Sequence, residues 1–136
     1  MEEIKLKRTG ELPLVFTGEL LKEADGIGLK GKSDRRWHVI RLYRTAQSRR
    51  YVLAIEYHTQ QQGESEDYQA LVLGPDKQHL IAALRSFSPI PDGIGYPRAE
   101  QFAKRQCELE EGLRRRFQVL VSEILDGIEG AEERID

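Results

Sequence analysis

One cysteine, Cys107, in 136 residues excludes an intramolecular disulfide. It falls in a helical pattern without a second thiol and reads as a plain thiol. No apolar run approaches the roughly 18 residues that a membrane-crossing helix needs. The opening Met1-Glu2-Glu3-Ile4-Lys5 has no signal-peptide pattern, so a cytoplasmic setting is expected. The histidines His38, His58 and His79 lack a cysteine cluster or a carboxylate at ligand spacing, so no metal site is expected. No nucleophile has an identifiable base, and Glu64, Glu66 and Asp67 fall in a polar loop. Neither catalysis nor a cofactor is therefore expected.

Charge, by contrast, is plentiful and unevenly spread. Charged residues make up 32% of the chain and the net charge is −2. Residues 1–60 hold 12 Lys and Arg against 8 Asp and Glu, whereas residues 61–136 hold 9 against 15. Between 30 and 50 there are 8 basic residues and one acid, Asp34. Such a local field attracts polyanions even on a slightly acidic protein, although a solvated strand surface gives the same count.

The pattern predicts one α+β domain over 1–136, with strands first and helices after. The sheet is expected over 3–73: Ile4-Lys5-Leu6-Lys7, then 12–21 bent at Gly18, then a hairpin of "RWHVIRLYR" (36–44) and "RYVLAIEYHT" (50–59), then 68–73. Gly74-Pro75-Asp76 ends the last strand, and Leu80, Ile81, Leu84 and Phe87 recur at helical spacing over about 76–87. The proline-rich 88–97 reads as a linker. A long helix is expected over about 98–128, with Phe102, Leu109, Leu113, Phe117, Leu120, Ile124 and Ile128 on one face. Arg114-Arg115-Arg116 reads as its solvated surface, with Glu110 and Glu111 four residues before Arg114 and Arg115.

A two- or four-residue turn near Gln47-Ser48 pairs Leu42 with Leu53, Ile40 with Ile55 and Arg41 with Ala54. One face then carries Ile40, Leu42, Leu53, Ile55 and Tyr57, which is core. The other interleaves Trp37, Val39, Arg41 and Tyr43 with Val52, Ala54, Glu56 and His58. Aromatic rings on which bases stack, beside cations that track phosphates, make a single-strand platform. The alternative is that Trp37 and Tyr43 pack under the long helix as a second core layer. His38 and His58 have opposite parity and point to different faces.

"GIGLKGKS" (26–33) satisfies the phosphate-loop pattern G-x-x-x-x-G-K-[ST], which would make the chain a nucleotide hydrolase. A working phosphate loop follows a buried parallel strand and opens a helix. Here "ELLKEAD" before it is half charged, and "SDRRWHVIRLYR" after it reads as a strand. A connection between strands is the better reading, with Lys30 and Lys32 at the edge of a basic sheet face.

Region 37–87 resembles the single-stranded-DNA-binding transcriptional regulators of the positive-cofactor-four and Whirly superfamily. The matching order is "WHVIRLYR", a hairpin, "YVLAIEYHT", a polar loop, "YQALVL", and "GPDKQHLIAAL" turning from strand into helix. "LKGKS" (29–33) is similar to a Lys-Gly-Lys element of the Whirly branch. The resemblance implies a curved antiparallel sheet packed on a helix, a homodimer or higher oligomer, and single-stranded DNA on the basic, aromatic sheet surface. The positions corresponding in kind are Lys30, Lys32, Arg35, Arg36, Trp37, Arg41, Tyr43, Arg49 and Arg50. The acidic overall balance and the long C-terminal helix depart from the family. A scaffold of the same fold, offering the long helix's apolar stripe to a protein partner or a second copy, is the alternative.

Overall fold

A computed structural model describes residues 1–30, 34–126 and 128. Five strands run β1 (Glu2–Leu6), β2 (Leu14–Asp25), β3 (Arg36–Thr45), β4 (Tyr51–Thr59) and β5 (Asp67–Val72). They form one antiparallel sheet in chain order, followed by α1 (Lys77–Ser86) and α2 (Ala103–Asp126). The fold is thus α+β, a curled sheet with a long C-terminal helix.

The β3–β4 hairpin has the expected register: Leu42 pairs with Leu53, Ile40 with Ile55 and Arg41 with Ala54. Its connection is the four residues 46–49, closed by the Thr45 N–H donating to the Arg50 carbonyl at 2.9 Å. The Thr45 hydroxyl also accepts from the Arg50 N–H at 2.9 Å. Arg49 takes φ of 52°, the left-handed region that the tight reversal requires. An even-numbered turn preserves the alternation, which is why both faces come out as the sequence pattern predicts.

The helices cover one face. Ile40, Leu42, Leu53 and Ile55 pack with Leu80 and Leu84 of α1 and Phe117, Leu120 and Ile124 of α2. Leu113, Leu120 and Ile124 are each 1% exposed or less. Each such side chain stabilises the fold by about 1.5–3 kcal/mol on burial. The apolar stripe of α2 is therefore spent on the chain's own sheet. At 24 residues, α2 spans about 36 Å. It also corrects one surface assignment: Arg116 turns inward to pair with Asp34, while Arg114 keeps its Glu110 partner at 3.3 Å.

The other face is covered partly by the sheet itself. β2 is 12 residues long and its pairing with β3 shifts register between Leu20 and Lys22, a bulge that adds twist. Gly18, the expected bend, lies so close to the Arg44 carbonyl that a Cβ would collide with it. Curling brings Ile4, Leu6, Leu14 and Phe16 over Tyr43, Val52 and Ala54. The curl is fastened across the sheet edges: the Thr9 N–H donates to the Tyr68 carbonyl at 2.8 Å, and the Tyr68 N–H donates to the Thr9 hydroxyl at 2.7 Å.

Candidate nucleic-acid interface

The mixed face of the hairpin carries Trp37, Arg41 and Tyr43 as expected, but their surroundings differ. Tyr43 is 8% exposed, with Phe16 set edge-on at 5.6 Å. It belongs to a second core layer, although β1 and β2 cover it and not the long helix. Its ring is closed to base stacking. Trp37 is half-buried, and the His58 imidazole stacks on it at 5.3 Å with planes 19° apart.

The cations divide into two sorts. Arg36 is 8% exposed and donates to both oxygens of Glu64 at 2.5–3.0 Å and to Asp34 at 3.3 Å. Its pKa is raised, chiefly by the Glu64 hydrogen bonds, against a burial cost. Arg41 donates to Glu23 at 2.6 Å and to Glu56. Burial opposes its charge, but those carboxylates outweigh it and raise its pKa as well. These two guanidiniums are internally compensated by carboxylates.

The hairpin end is different. Arg44 donates to the carbonyls of Arg49 (3.1 Å) and Pro75 (3.1 Å) and lies 4.4 Å above the Tyr51 ring. Arg50 donates to the Leu73 carbonyl at 3.0 Å, and Arg49 is exposed on the turn. Among the described residues none of the three has a carboxylate partner. A guanidinium has five N–H donors, so each keeps several for an external oxyanion. Arg44 is not among the positions that sequence pattern singles out. The run Arg44, Arg49, Arg50 across a short turn is the signal that could have found it.

The candidates are therefore not gathered on one surface. Arg35 is exposed and Lys30 half-buried near the start of β3, and Lys32 lies outside the described residues. Trp37 and Arg44 stand seven residues apart on β3, about 23 Å. Gly26–Leu29 form a single 3₁₀ turn, with the Asp25 carboxylate accepting from the Ile27 N–H at 3.0 Å. The strands flanking it are antiparallel partners. A strand-then-helix setting is not found there, and the rest of the motif, Gly31 to Ser33, lies outside the described residues.

No family model, curated protein or solved structure matches the chain.

Two further features escape sequence reasoning. Glu64, in the loop that reads as merely polar, has a side chain only 8% exposed. It accepts from Arg36, from the Tyr57 hydroxyl (2.8 Å), from the Thr59 hydroxyl (3.1 Å) and from the Gly95 N–H (3.3 Å). Burial pushes its pKa up, but these donors win and hold it below the usual carboxylate value. Tyr57 is correspondingly raised, by burial first and then by Glu64. A cleft of about 840 Å³ lies elsewhere, between the 90–99 segment and the start of α2. Tyr96 and Phe102 stack at its wall with centroids 5.8 Å apart. Among the described residues, no group of three His, Cys, Asp or Glu is placed to hold a metal ion, and no helix is long and apolar enough to cross a membrane.

Proposed function

We propose that this chain is a non-enzymatic module that binds single-stranded nucleic acid, DNA by preference, through a Whirly-like curled sheet. It acts as a homodimer in a transcription-regulator-like role. The observation that carries the reading is the carboxylate-free set of Arg44, Arg49 and Arg50 at the end of the β3–β4 hairpin. Their backbone carbonyl partners fix two of the guanidiniums in place without neutralising them. Such groups bind phosphate oxygens with directional, charge-assisted hydrogen bonds. Trp37, whose indole is the remaining half-exposed ring of the candidate set, has the opposite parity to Arg44 on β3 and offers a separate stacking contact on the mixed face. The preference for DNA and the homodimer come from the resemblance of 37–87 to the single-stranded-DNA-binding regulators.

The test is binding of a fluorescein-labelled oligothymidylate as a function of salt. Phosphate contacts release counterions, so affinity falls as salt rises. Replacing Arg44, Arg49 and Arg50 together by alanine lowers the magnitude of that log–log slope by about 2, at roughly 0.7 per contact. An unchanged slope, or no binding by the wild type at low salt, defeats the proposal. Light scattering on the wild type gives the subunit number, and a monomer at all concentrations removes the homodimer.

A further inference from the structure

Beside Trp37, the mixed face holds an assembly of alternating charges. His58 Nδ1 lies 2.7 Å from Glu66 Oε2, and Nε2 lies 2.8 Å from Glu56 Oε1. An ionised carboxylate only accepts, and a neutral imidazole has one N–H to give. Both contacts are satisfied together only by the imidazolium, which donates from each nitrogen.

Every element around the ring contributes a charged or titratable group. Arg41 of β3 donates to Glu56 of β4 and to Glu23 of β2. The Tyr68 hydroxyl of β5 donates to Glu66 at 3.0 Å, and the Tyr68 ring meets His58 edge-on at 5.8 Å. Lys7, just after β1, sits 4.6 Å from the centre of the Tyr68 ring. Tyr43 faces Arg41 as a neutral phenol whose pKa burial raises. With its proton, His58 joins Lys5, Lys7 and Arg41 opposite Glu23, Glu56 and Glu66. Without it, the assembly loses one positive charge.

We infer that His58 is a proton-operated switch that sets the charge of this face around Trp37 and the hold on Glu66. Loss of the proton leaves one ring nitrogen with a lone pair against a carboxylate. Glu56 stays in place because Arg41 holds it. Glu66, whose side chain is 43% exposed, keeps only the Tyr68 hydroxyl and is released. Burial disfavours the charged ring, but the hydrogen bonds to Glu66 and Glu56 overcome that and raise its pKa above the ordinary 6.5. The stabilisation is therefore complete below about 6.5 and is lost as pH rises through the raised value. The consequence for nucleic acid rests on the binding reading above. A strand passing Trp37 meets a surface one charge more positive when His58 is protonated than when it is not.

Trp37 is the chain's one tryptophan, so its emission reports the stacked ring directly. An imidazolium against the indole quenches it. In the wild type, emission rises with pH through a single transition centred above about 6.5, the ordinary histidine value. The transition disappears in His58→Gln and moves to lower pH in Glu66→Gln, whose exposed site leaves folding intact. A midpoint at or below 6.5, or a transition that persists in His58→Gln, overturns the switch. Oligothymidylate affinity at fixed ionic strength falls across the same transition in the wild type and not in His58→Gln. Affinity that stays flat in the wild type overturns the effect on binding. If the emission titrates but no oligonucleotide binds, the nucleic-acid reading fails and the switch stands. If oligonucleotide binds but the emission does not titrate, the switch fails and the nucleic-acid reading stands.

Discussion

On the helix side of the β3–β4 hairpin, His38 is 3% exposed and sits between Tyr57, 5.4 Å away, and Phe117, 5.1 Å away. On the other side, His58 lies between two carboxylates and stacks on Trp37. The residues have the same chemistry and stand on adjacent strands of one sheet. Burial lowers the His38 pKa to about 4, whereas the carboxylates raise that of His58. The covered face disfavours a charged histidine, and the carboxylates of the half-open face favour one. Two helices make the first face an apolar core, while the curl of β1 and β2 covers the second only in part. What remains uncovered is where Arg41, His58, their carboxylates and Trp37 collect, whereas the Arg36–Glu64 pair is buried on the helix side.

Breaking a carboxylate on each side gives the sharpest contrast. Glu64→Gln leaves the buried Arg36 guanidinium with Asp34 at 3.3 Å as its one remaining carboxylate among the described residues, and loss of up to about 3 kcal/mol is expected in a denaturant melt. Glu66→Gln, on the exposed side, is expected to cost less than about 1 kcal/mol. Comparable losses would mean that the two networks are equally buried.

Acid separates the histidines further. His38 binds a proton in the unfolded chain at about 6.5 and in the folded chain only at about 4. Between those values the unfolded state holds the extra proton, so stability falls as pH falls, by up to about 3 kcal/mol. His38→Phe, which keeps an aromatic ring among Tyr57 and Phe117, removes that part of the pH dependence. If melts of wild type and variant run parallel from pH 6.5 to 4, the site is wetter than its 3% exposure indicates.

The smallest expected effect concerns Tyr43. Its hydroxyl has no hydrogen-bond partner among the described residues, so Tyr43→Phe should change stability by less than about 0.5 kcal/mol and leave oligonucleotide binding unaltered. A large loss of affinity would return the phenol to the binding surface.

The alternation of "RWHVIRLYR" and "YVLAIEYHT" makes the hairpin faces legible in the sequence, because a four-residue turn keeps the parity that the pattern implies. The stripe Leu113, Phe117, Leu120 and Ile124 is equally plain, since helical period alone reveals it. What occupies each face is less visible. Glu64 reads as one polar residue in a polar loop, because its partner Arg36 is 28 positions away. Arg41 reads as an available cation for the same reason: Glu23 is 18 positions away and comes alongside only through β2 pairing. Covering of Tyr43 by Phe16 depends on the curl, and that depends on a bulge near Leu21 and on a close approach at Gly18. Local pattern carries periodicity; it does not carry which charge meets which across the sheet.

Long-range ¹H–¹⁵N spectra of the imidazoles, recorded from pH 4 to 8, test the contrast between the faces most directly. The account predicts that at pH 6 both His58 nitrogens carry protons while His38 shows a neutral tautomer, and that His38 charges only near pH 4. A neutral His58 at pH 6, or a His38 that titrates with it, would contradict the account.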